Sequence, residues 1–385
     1  MCKATGMKNG LNRRDVLGLC AATAAGCLLP RAARGAKPTV GESVDLQDLP
    51  AREASWYKKL EHLKVECGLC PQGCIVADAE RGTCGVRENR AGTYYTLVHG
   101  LACSVHVDPV EKKPFFHVLP GEMALSYATA GCNVECKFCQ NWEISQFRPE
   151  QVASWYLPPD ALIRVAQQQG ATMTAATYSE PTVFWEYVWD AAVAARKADI
   201  RPLVVSNGYI KPEPLREVLP LLEAYKVDLK AMTEDFYVKQ VRGHLKPVLE
   251  ALEIIKKAGT WLEIVVLLIP GLNDSEAEVI RLARWVKTNL GPEVPVHFTR
   301  FHPTYLLKNL PPTPVITLER AWRAAKAQGL HFVYLGNVPG HPGENTVCPG
   351  CDQIVIHRVG FNVIKNRLKD GACPDCGRKI PGIWS

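Results

Sequence analysis

From residue 121 onward, short apolar runs alternate with longer stretches in which apolar residues recur every three or four positions. The run LEIVVLLI at 262–269 has the length of a buried strand, whereas DSEAEVIRLARWVKTNL at 274–290 has the spacing of an amphipathic helix. Regular alternation of the two patterns predicts βαβ units and a mainly parallel sheet, either open or barrel-like. The predicted strands are the runs 124–130, 172–178, 201–207, 226–230, 262–269, 294–300 and 331–336.

Local signals place the helix boundaries between these runs. Pro158 with Pro159, and the segment 273–275 (Asn-Asp-Ser), are typical of helix starts, while Gly170 and Gly291 are typical of helix ends. In parallel α/β folds the active site lies at the carboxyl ends of the strands. Polar residues that directly follow a predicted strand are therefore candidates for the site.

The net charge of +6 comes entirely from the first part of the chain. Residues 1–37 carry seven Lys and Arg and one Asp, so the rest of the chain carries 38 basic and 38 acidic residues. A neutral body lacks the basic surface that nucleic acid requires. We therefore exclude nucleic-acid binding as the main function.

The basic N-terminus has the features of a leader at 1–40. Arg13 and Arg14 precede the apolar run 17–30, which resembles a twin-arginine export signal. At 14 residues this run is too short to span a bilayer, so no spanning segment is expected. An untranslocated basic tail and a lipidated Cys27 are the alternatives.

Eleven of the fifteen cysteines fall into three groups, and Cys103 stands apart from all of them. Repeated short spacings favour metal binding over a disulfide framework, although disulfides remain the alternative for an exported protein. The groups are Cys67, Cys70, Cys74 and Cys84; Cys132, Cys136 and Cys139; and Cys348, Cys351, Cys373 and Cys376.

The last group consists of two C-x2-C pairs separated by 21 residues, with Pro and Gly in the turns CPGC and CPDCG. Four thiolates on such turns fill the tetrahedral coordination of one ion. We predict a structural zinc in a zinc-ribbon-like module at 341–385, with a rubredoxin-like iron as the alternative. The first group, in the Cys-rich segment 41–120, also offers four thiolates, and its spacing suits either zinc or an auxiliary 4Fe-4S cluster.

The middle group has three cysteines within eight residues and no fourth nearby. Four thiolates would complete a 4Fe-4S cluster, so three leave one iron with an open coordination position. Open positions are where metal centres perform chemistry. Cys132, Cys136 and Cys139 are therefore the predicted catalytic group, placed directly after the first strand of the core at 121–340.

Polar residues at other strand ends are predicted to share this site. Each one taken alone could equally cap a helix or solvate a loop, but several strand ends converge on one edge of such a sheet. The candidates are Ser179, Glu180, Asn207, Asp228, Lys230, His297, Arg300 and His302.

The C-x3-C-x2-C spacing, with Phe138 before the last cysteine, resembles the signature of radical S-adenosylmethionine enzymes. Together with TYSEPT, DLKAMTEDFY, LLIPGLNDSE, HFTRFHP and GNVPGHPGENTVCPGC, the chain from about residue 60 is similar to the radical SAM enzyme of the AmmeMemoRadiSam system. That group is related to pyruvate formate-lyase activating enzymes.

The resemblance implies a partial (β/α)6 barrel in which the three cysteines hold a 4Fe-4S cluster that binds S-adenosylmethionine. Phe138 would lie against the adenine, and Glu180, after Ser179, would bind the methionyl amine although the glycines of the related Gly-Gly-Glu motif are absent. Asn207, Asp228 and Lys230 would contact the ribose or the carboxylate.

The expected activity is reductive cleavage of S-adenosylmethionine to a 5′-deoxyadenosyl radical that removes hydrogen from a substrate. Alternatives are a glycyl-radical-enzyme activase that acts on a partner protein, an exported iron–sulfur electron-transfer protein, and a zinc-ribbon binding module. Expected partners are a low-potential electron donor and, by resemblance, Memo-type and AMMECR-type proteins. The supply of S-adenosylmethionine and electrons favours the cytoplasm, whereas the leader indicates export or tethering at the membrane.

Overall fold

The computed structural model of the protein describes residues 51–385. The predicted leader at 1–40, with its twin arginines and with Cys2, Cys20 and Cys27, lies outside the described residues. In the described part of the chain, no helix combines the length and the apolar character needed to cross a bilayer.

The core is an eight-stranded sheet whose strands follow one another in chain order. Seven strands are parallel, and the first strand runs antiparallel at one edge. All seven predicted strands are confirmed, with ends that lie within two residues of the prediction. The strands are β1 Ser104–Pro109, β2 Met123–Ala128, β3 Met173–Ala176, β4 Arg201–Ser206, β5 Ala224–Asp228, β6 Trp261–Leu268, β7 Val296–Arg300 and β8 Val333–Gly336.

One principal helix lies between each pair of successive parallel strands, which makes six strand–helix units followed by a last strand. The Ser275 hydroxyl accepts a hydrogen bond from the Glu278 N–H, so the predicted helix start at 273–275 is confirmed. The helices are α1 Pro159–Gln168, α2 Trp185–Lys197, α3 Pro212–Val218, α4 Leu245–Ala258, α5 Glu276–Asn289 and α6 Val315–Ala327, with short helices at Trp142–Ser145 and Glu234–Phe236 and a π-helix at Tyr237–Val241.

The sheet curves, because β4 to β8 and the loops that follow β2 and β3 line one cavity, while its edges, β1 and β8, do not pair with each other. The register places Ala175, Leu203 and Ala224 side by side on the inner face, where they pack against Val110 and Phe115. Side chains on the outer face pack against the helices to form the main core. The predicted partial (β/α)6 barrel is confirmed.

Before the core, short antiparallel strands cover one side of the barrel. Two three-stranded sheets hold the first cysteine group, and Leu101–Ala102 pairs with Trp155–Tyr156. Strand β1 also comes from the predicted segment 41–120, so pairing in the central sheet crosses the predicted boundary at residue 120. The strands of the two sheets are Arg52–Glu53, Thr93–Thr96 and Arg87–Arg90, and Tyr57–Lys59, Val65–Cys67 and Ile75–Val76.

After the core, a three-stranded antiparallel sheet of Thr346–Val347, Ile354–Val359 and Asn362–Asn366 forms the C-terminal module. The buried Arg358 joins this module to the barrel, because its guanidinium donates to the Phe116 carbonyl at 2.6 Å and lies over the Phe116 ring. Its Nε lies 3.6 Å from a Glu111 carboxylate oxygen. The module is therefore packed against the barrel interior through the segment that precedes β2.

His117 lies where this module meets the barrel, and it predicts a pH dependence of stability. Its ring contacts the Pro381 carbonyl and the Tyr334 hydroxyl, a pattern that suits the neutral imidazole. Burial lowers the pKa of His117 to about 4, below its usual value of about 6.5. The unfolded chain therefore binds more protons between these values, and stability falls as the pH decreases through this window.

Because of His117, we expect the free energy of unfolding to fall by about 2 kcal/mol when the pH is lowered from 7 to 5. Urea unfolding at both pH values, in the parent and in His117→Phe, measures the effect. The variant should lose less stability on acidification than the parent. An equal loss in both proteins would show that His117 does not set this dependence.

Candidate active site

The cavity at the carboxyl ends of the strands has a volume of about 430 Å³ and contains the predicted catalytic cysteines. Cys132, Cys136 and Cys139 all line it from the loop after β2. Hydrogen bonds join this loop to the π-helix. The Glu135 N–H donates to the Val241 carbonyl, and the Lys137 N–H donates to the Gln240 carbonyl. These hydrogen bonds therefore fix the position of the loop that carries the three thiols at the carboxyl ends of the strands.

Two asparagines connect the cysteine loop to neighbouring strand ends. The Asn141 side chain donates to the Tyr178 carbonyl at 2.7 Å, after β3. After β4, the Asn207 side chain donates to the Asn133 side-chain oxygen at 2.9 Å and lies 3.9 Å from the Cys132 sulfur. The predicted position of Asn207 beside the cysteines thus has a direct geometric basis.

Glu180 is buried in the same cavity and accepts several hydrogen bonds from the protein. Its carboxylate accepts from the Thr182 N–H and hydroxyl, from the Ser206 hydroxyl at 2.7 Å and from the Asn207 N–H at 2.8 Å. Burial raises the pKa of this carboxyl, and these donors oppose the shift. Ser179 lies beside it and donates to the Thr129 carbonyl at 2.7 Å.

Asp228 lies between two lysines on one face of β5 and its extension. Its carboxylate contacts the Lys226 ammonium, and its second oxygen lies 3.0 Å from the Lys230 ammonium. Burial opposes ionisation of Asp228, but the two lysines lower its pKa to about 2. The same Lys230 opposes the effect of burial on Cys136, which raises the pKa of that thiol to about 12.

Phe138 is buried and also lines the cavity, where its ring lies 5.8 Å from the Phe236 ring. His297 lines the cavity as well, although its ring is paired with the buried Glu263 at 2.6 Å. By contrast, the Arg300 side chain donates to the Thr313 carbonyl, and His302 is exposed. Arg300 and His302 do not line the cavity described here, so the prediction for these two residues was wrong.

Several residues of the site were not predicted. Asn133 is adjacent to Cys132 in sequence, and Lys226 shares the strand face of Asp228, so sequence signals existed for both. The C-terminal module also contributes Gly360 and Phe361 to the cavity lining, which no local pattern indicates. These contributions arise from the packing of distant segments.

The three cysteine groups differ in how closely their sulfur atoms approach. Among the described residues, the C-terminal group alone brings its donors within 4.8 Å of one another. Within it, Cys348 and Cys376, and likewise Cys351 and Cys373, have sulfur atoms 3.6 Å apart. The described cysteines are all free thiols, so disulfides do not account for any of the three groups.

A site with three thiols on the loop after the first parallel strand of a partial barrel has a counterpart among known sequences. Residues 126–283 match the profile of the Radical SAM superfamily. Residues 126–283 therefore form a radical SAM domain. The protein is an enzyme, and a 4Fe-4S cluster and S-adenosylmethionine are the groups that this domain implies.

Two relatives are similar to the chain in sequence. The chain is 43% identical over 331 residues to an uncharacterized protein of Methanocaldococcus jannaschii, covering 86% of this chain and 98% of the relative. It is 26% identical over 163 residues to a probable GTP 3′,8-cyclase of Aeropyrum pernix, covering 40% of this chain and 45% of the relative.

Two solved radical SAM structures are similar to the chain at low identity. A methyltransferase from Sphaerobacter thermophilus has a TM-score of 0.46 at 18% identity, covering 58% of this chain and 70% of its own. A domain of a pyruvate-formate lyase-activating enzyme from Bacteroides vulgatus has a TM-score of 0.38 at 17% identity, covering 42% of this chain and 98% of its own.

The residues present fit the cluster that the family implies. Three thiols line one cavity, their sulfur atoms do not all lie within 4.8 Å of one another, and the partly buried Lys230 ammonium offsets negative charge at Cys136. Because burial raises the pKa of Cys132 and Cys136, binding of iron must displace their protons.

Proposed function

We propose that the protein cleaves S-adenosylmethionine reductively and uses the product to remove a hydrogen atom from a substrate. The observation that carries this proposal is the convergence of three cysteine thiols, Glu180, Asn207 and Asp228 on one cavity at the strand ends. Three protein ligands leave a coordination position free for a reactant.

A reduced 4Fe-4S cluster held by Cys132, Cys136 and Cys139 would supply the one electron that cleaves S-adenosylmethionine into methionine and a 5′-deoxyadenosyl radical, and this radical would take hydrogen from the substrate. Side chains of the protein would shield and orient the reacting groups. Phe138 and the inner strand faces exclude water, and Lys230 compensates negative charge at Cys136. Asn207 holds the cysteine loop against the end of β4.

Glu180 is the proposed partner of the methionyl amine. Its buried carboxylate already accepts several hydrogen bonds, and the ammonium group of the methionyl moiety would add a charge-assisted one. Asp228 and Lys230 are proposed to contact the ribose and the carboxylate, since both line the same cavity.

Glu180→Gln should raise the KM for S-adenosylmethionine by about tenfold or more, because a hydrogen bond to a charged group contributes about 1.5–3 kcal/mol. The measurement is 5′-deoxyadenosine formation against S-adenosylmethionine concentration. Ser179→Ala is the matched control, since it removes a neutral hydrogen bond beside Glu180 and should change KM less. If the folded Glu180→Gln variant has an unchanged KM, Glu180 does not bind S-adenosylmethionine and only caps the helical turn Pro181–Phe184.

The activity itself is tested with the full chain, purified without air and loaded with iron and sulfide. Addition of dithionite and S-adenosylmethionine should yield 5′-deoxyadenosine and methionine, detected by mass spectrometry. Omission of the reductant should abolish both products. Absence of product from fully loaded protein would contradict the proposal and favour an iron–sulfur electron-transfer protein.

We also propose membership of the AmmeMemoRadiSam system. Its support is the set of sequence motifs that surround the cysteines and extend into the C-terminal module. Memo-type and AMMECR-type proteins and a low-potential electron donor are the corresponding proposed partners. A glycyl-radical-enzyme activase is the alternative within the same chemistry, and tritium transfer from labelled substrate candidates into 5′-deoxyadenosine would separate the two.

We propose zinc for the C-terminal group. Sulfur atoms 3.6 Å apart match four thiolates around one ion at Zn–S distances of about 2.3 Å. A full tetrahedral shell leaves no position for a reactant, so this zinc is structural. Metal analysis should find about one zinc per chain, and replacement of Cys348 and Cys351 by serine should remove it.

A further inference from the structure

The first cysteine group surrounds a second cavity, distinct from the one at the strand ends. Cys67, Cys70, Cys74 and Cys84 all line it. Cys67 and Cys70 are buried, and the four residues come from a strand end and three loop positions of the Cys-rich segment. Their sequence spacing is compatible with either zinc or an iron–sulfur cluster, so the geometry of the thiols has to distinguish them.

The spacing of these thiols excludes a preformed site for a single ion. Four thiolates around one zinc lie roughly 3.8 Å apart, as expected from a Zn–S bond of about 2.3 Å and tetrahedral angles. The C-terminal group meets this condition at 3.6 Å. In the part of the chain that the structure describes, no three donors of the first group lie within 4.8 Å of one another.

A 4Fe-4S cluster binds each thiolate through a different iron and therefore needs a wider arrangement. The catalytic group of this chain provides an internal reference, because its three sulfur atoms likewise do not all lie within 4.8 Å of one another. Among the described residues, neither of these two groups therefore has the compact arrangement of the C-terminal group.

One buried polar side chain independently indicates a hydrogen-bond acceptor in this cavity. The Tyr94 hydroxyl is buried, lines the cavity and has no hydrogen-bond partner among the described residues. A sulfur atom of a cluster would accept the hydrogen bond that this hydroxyl lacks. Arg87 also lines the cavity, and its guanidinium is paired with the buried Glu186 at 3.0 Å.

The loop that carries the catalytic cysteines also borders the second cavity. A Cβ atom at Gly131, the residue before Cys132, would lie 2.9 Å from the Cys84 carbonyl oxygen. Asn133, the residue after Cys132, lines the second cavity and also holds Asn207 of the catalytic cavity. The Gln72 side chain donates to the Asn133 carbonyl at 2.9 Å.

We propose that Cys67, Cys70, Cys74 and Cys84 hold an auxiliary 4Fe-4S cluster, adjacent to the catalytic cysteines. Four thiolate ligands complete its coordination, so this centre has no open iron for S-adenosylmethionine. The inference concerns a separate set of ligands and does not depend on the proposed reaction.

The test uses the full chain with Cys132, Cys136 and Cys139 replaced by alanine, so that any iron is bound elsewhere. After anaerobic loading with iron, sulfide and zinc, it should retain about four iron and four acid-labile sulfide per chain. On reduction it should give the paramagnetic resonance signal of a reduced cubane. The matched control adds Cys103→Ala, which replaces a partly buried cysteine outside the three groups and should leave these values unchanged.

Further replacement of Cys67 and Cys70 by serine should remove the remaining iron and sulfide while zinc stays. A second measurement does not depend on folding of that variant. Cysteines of the native protein are alkylated before and after iron removal, and mass spectrometry identifies as ligands those that react only after the iron is removed. Zinc in place of iron and sulfide, or iron that persists after the serine replacements, would overturn the assignment. Because no turnover is measured, failure of the proposed reaction would leave this result unaffected.

Discussion

Replacement of Cys132, Cys136 and Cys139 by alanine should abolish the formation of 5′-deoxyadenosine. The three thiols all line the cavity at the strand ends, and the described residues offer no other cysteine in that lining. Without them the catalytic iron has no protein ligands, and the coordination position required for S-adenosylmethionine is lost. We expect product at the level of a reaction without enzyme.

The matched control for this loss is Cys103→Ala. Cys103 is a partly buried free cysteine that belongs to none of the three groups, and it lies between Leu101–Ala102 and β1. Its replacement should leave both iron content and product formation close to the parent. If the triple variant still forms 5′-deoxyadenosine, another cysteine group holds the catalytic cluster. The group Cys67, Cys70, Cys74 and Cys84 would be the first candidate.

Arg87→Met should destabilise the protein by about 3–5 kcal/mol, because it leaves a buried carboxylate without its partner. Arg87 and Glu186 are each 1% exposed, and one guanidinium nitrogen lies 3.0 Å from a Glu186 oxygen. Burial opposes ionisation of Glu186, while Arg87 lowers its pKa. This pair joins the Cys-rich segment to α2, and Glu186 also accepts from the Ser55 N–H.

The free energy of urea unfolding measures this effect in protein with its metals bound. Arg87→Met combined with Glu186→Leu should recover much of the loss, since the pair is then replaced by apolar side chains. The single variant Glu186→Leu should cost less than Arg87→Met, because the thiolates of Cys67 and Cys84 in the proposed cluster would still balance the charge of Arg87. Equal costs for the two single variants would contradict an anionic centre beside Arg87.

Much of the site followed from strand periodicity and strand order. Glu180, Asn207 and Asp228 were predicted because each follows or ends a parallel strand, and all three line the cavity. The prediction failed for Arg300 because side chains alternate along a strand. His297 and Thr299 face the cavity, so Arg300 points to the other side and donates to the Thr313 carbonyl.

Other features of the site depend on contacts between residues far apart in the chain. Asn133 and Asn207 meet only because the loop after β2 folds over the end of β4. Phe361 reaches the cavity because Arg358 joins the C-terminal module to the barrel. Neither contact has a periodic or compositional signal, since neither depends on local backbone geometry.

The sequence by itself determined the order of strands and helices and the position of three cysteines after the first parallel strand, because hydrophobic periodicity and short spacings are local properties. The partial barrel was implied only by the family resemblance, since periodicity is equally compatible with an open sheet. It did not determine which cysteine group suits a single ion and which suits a cluster. A C-x2-C spacing constrains the two sulfur atoms of one turn, whereas the distance between turns is set by the packing of segments distant in the chain. Only the tertiary structure therefore separates the close thiols of Cys348–Cys376 from the wider ones of Cys67–Cys84.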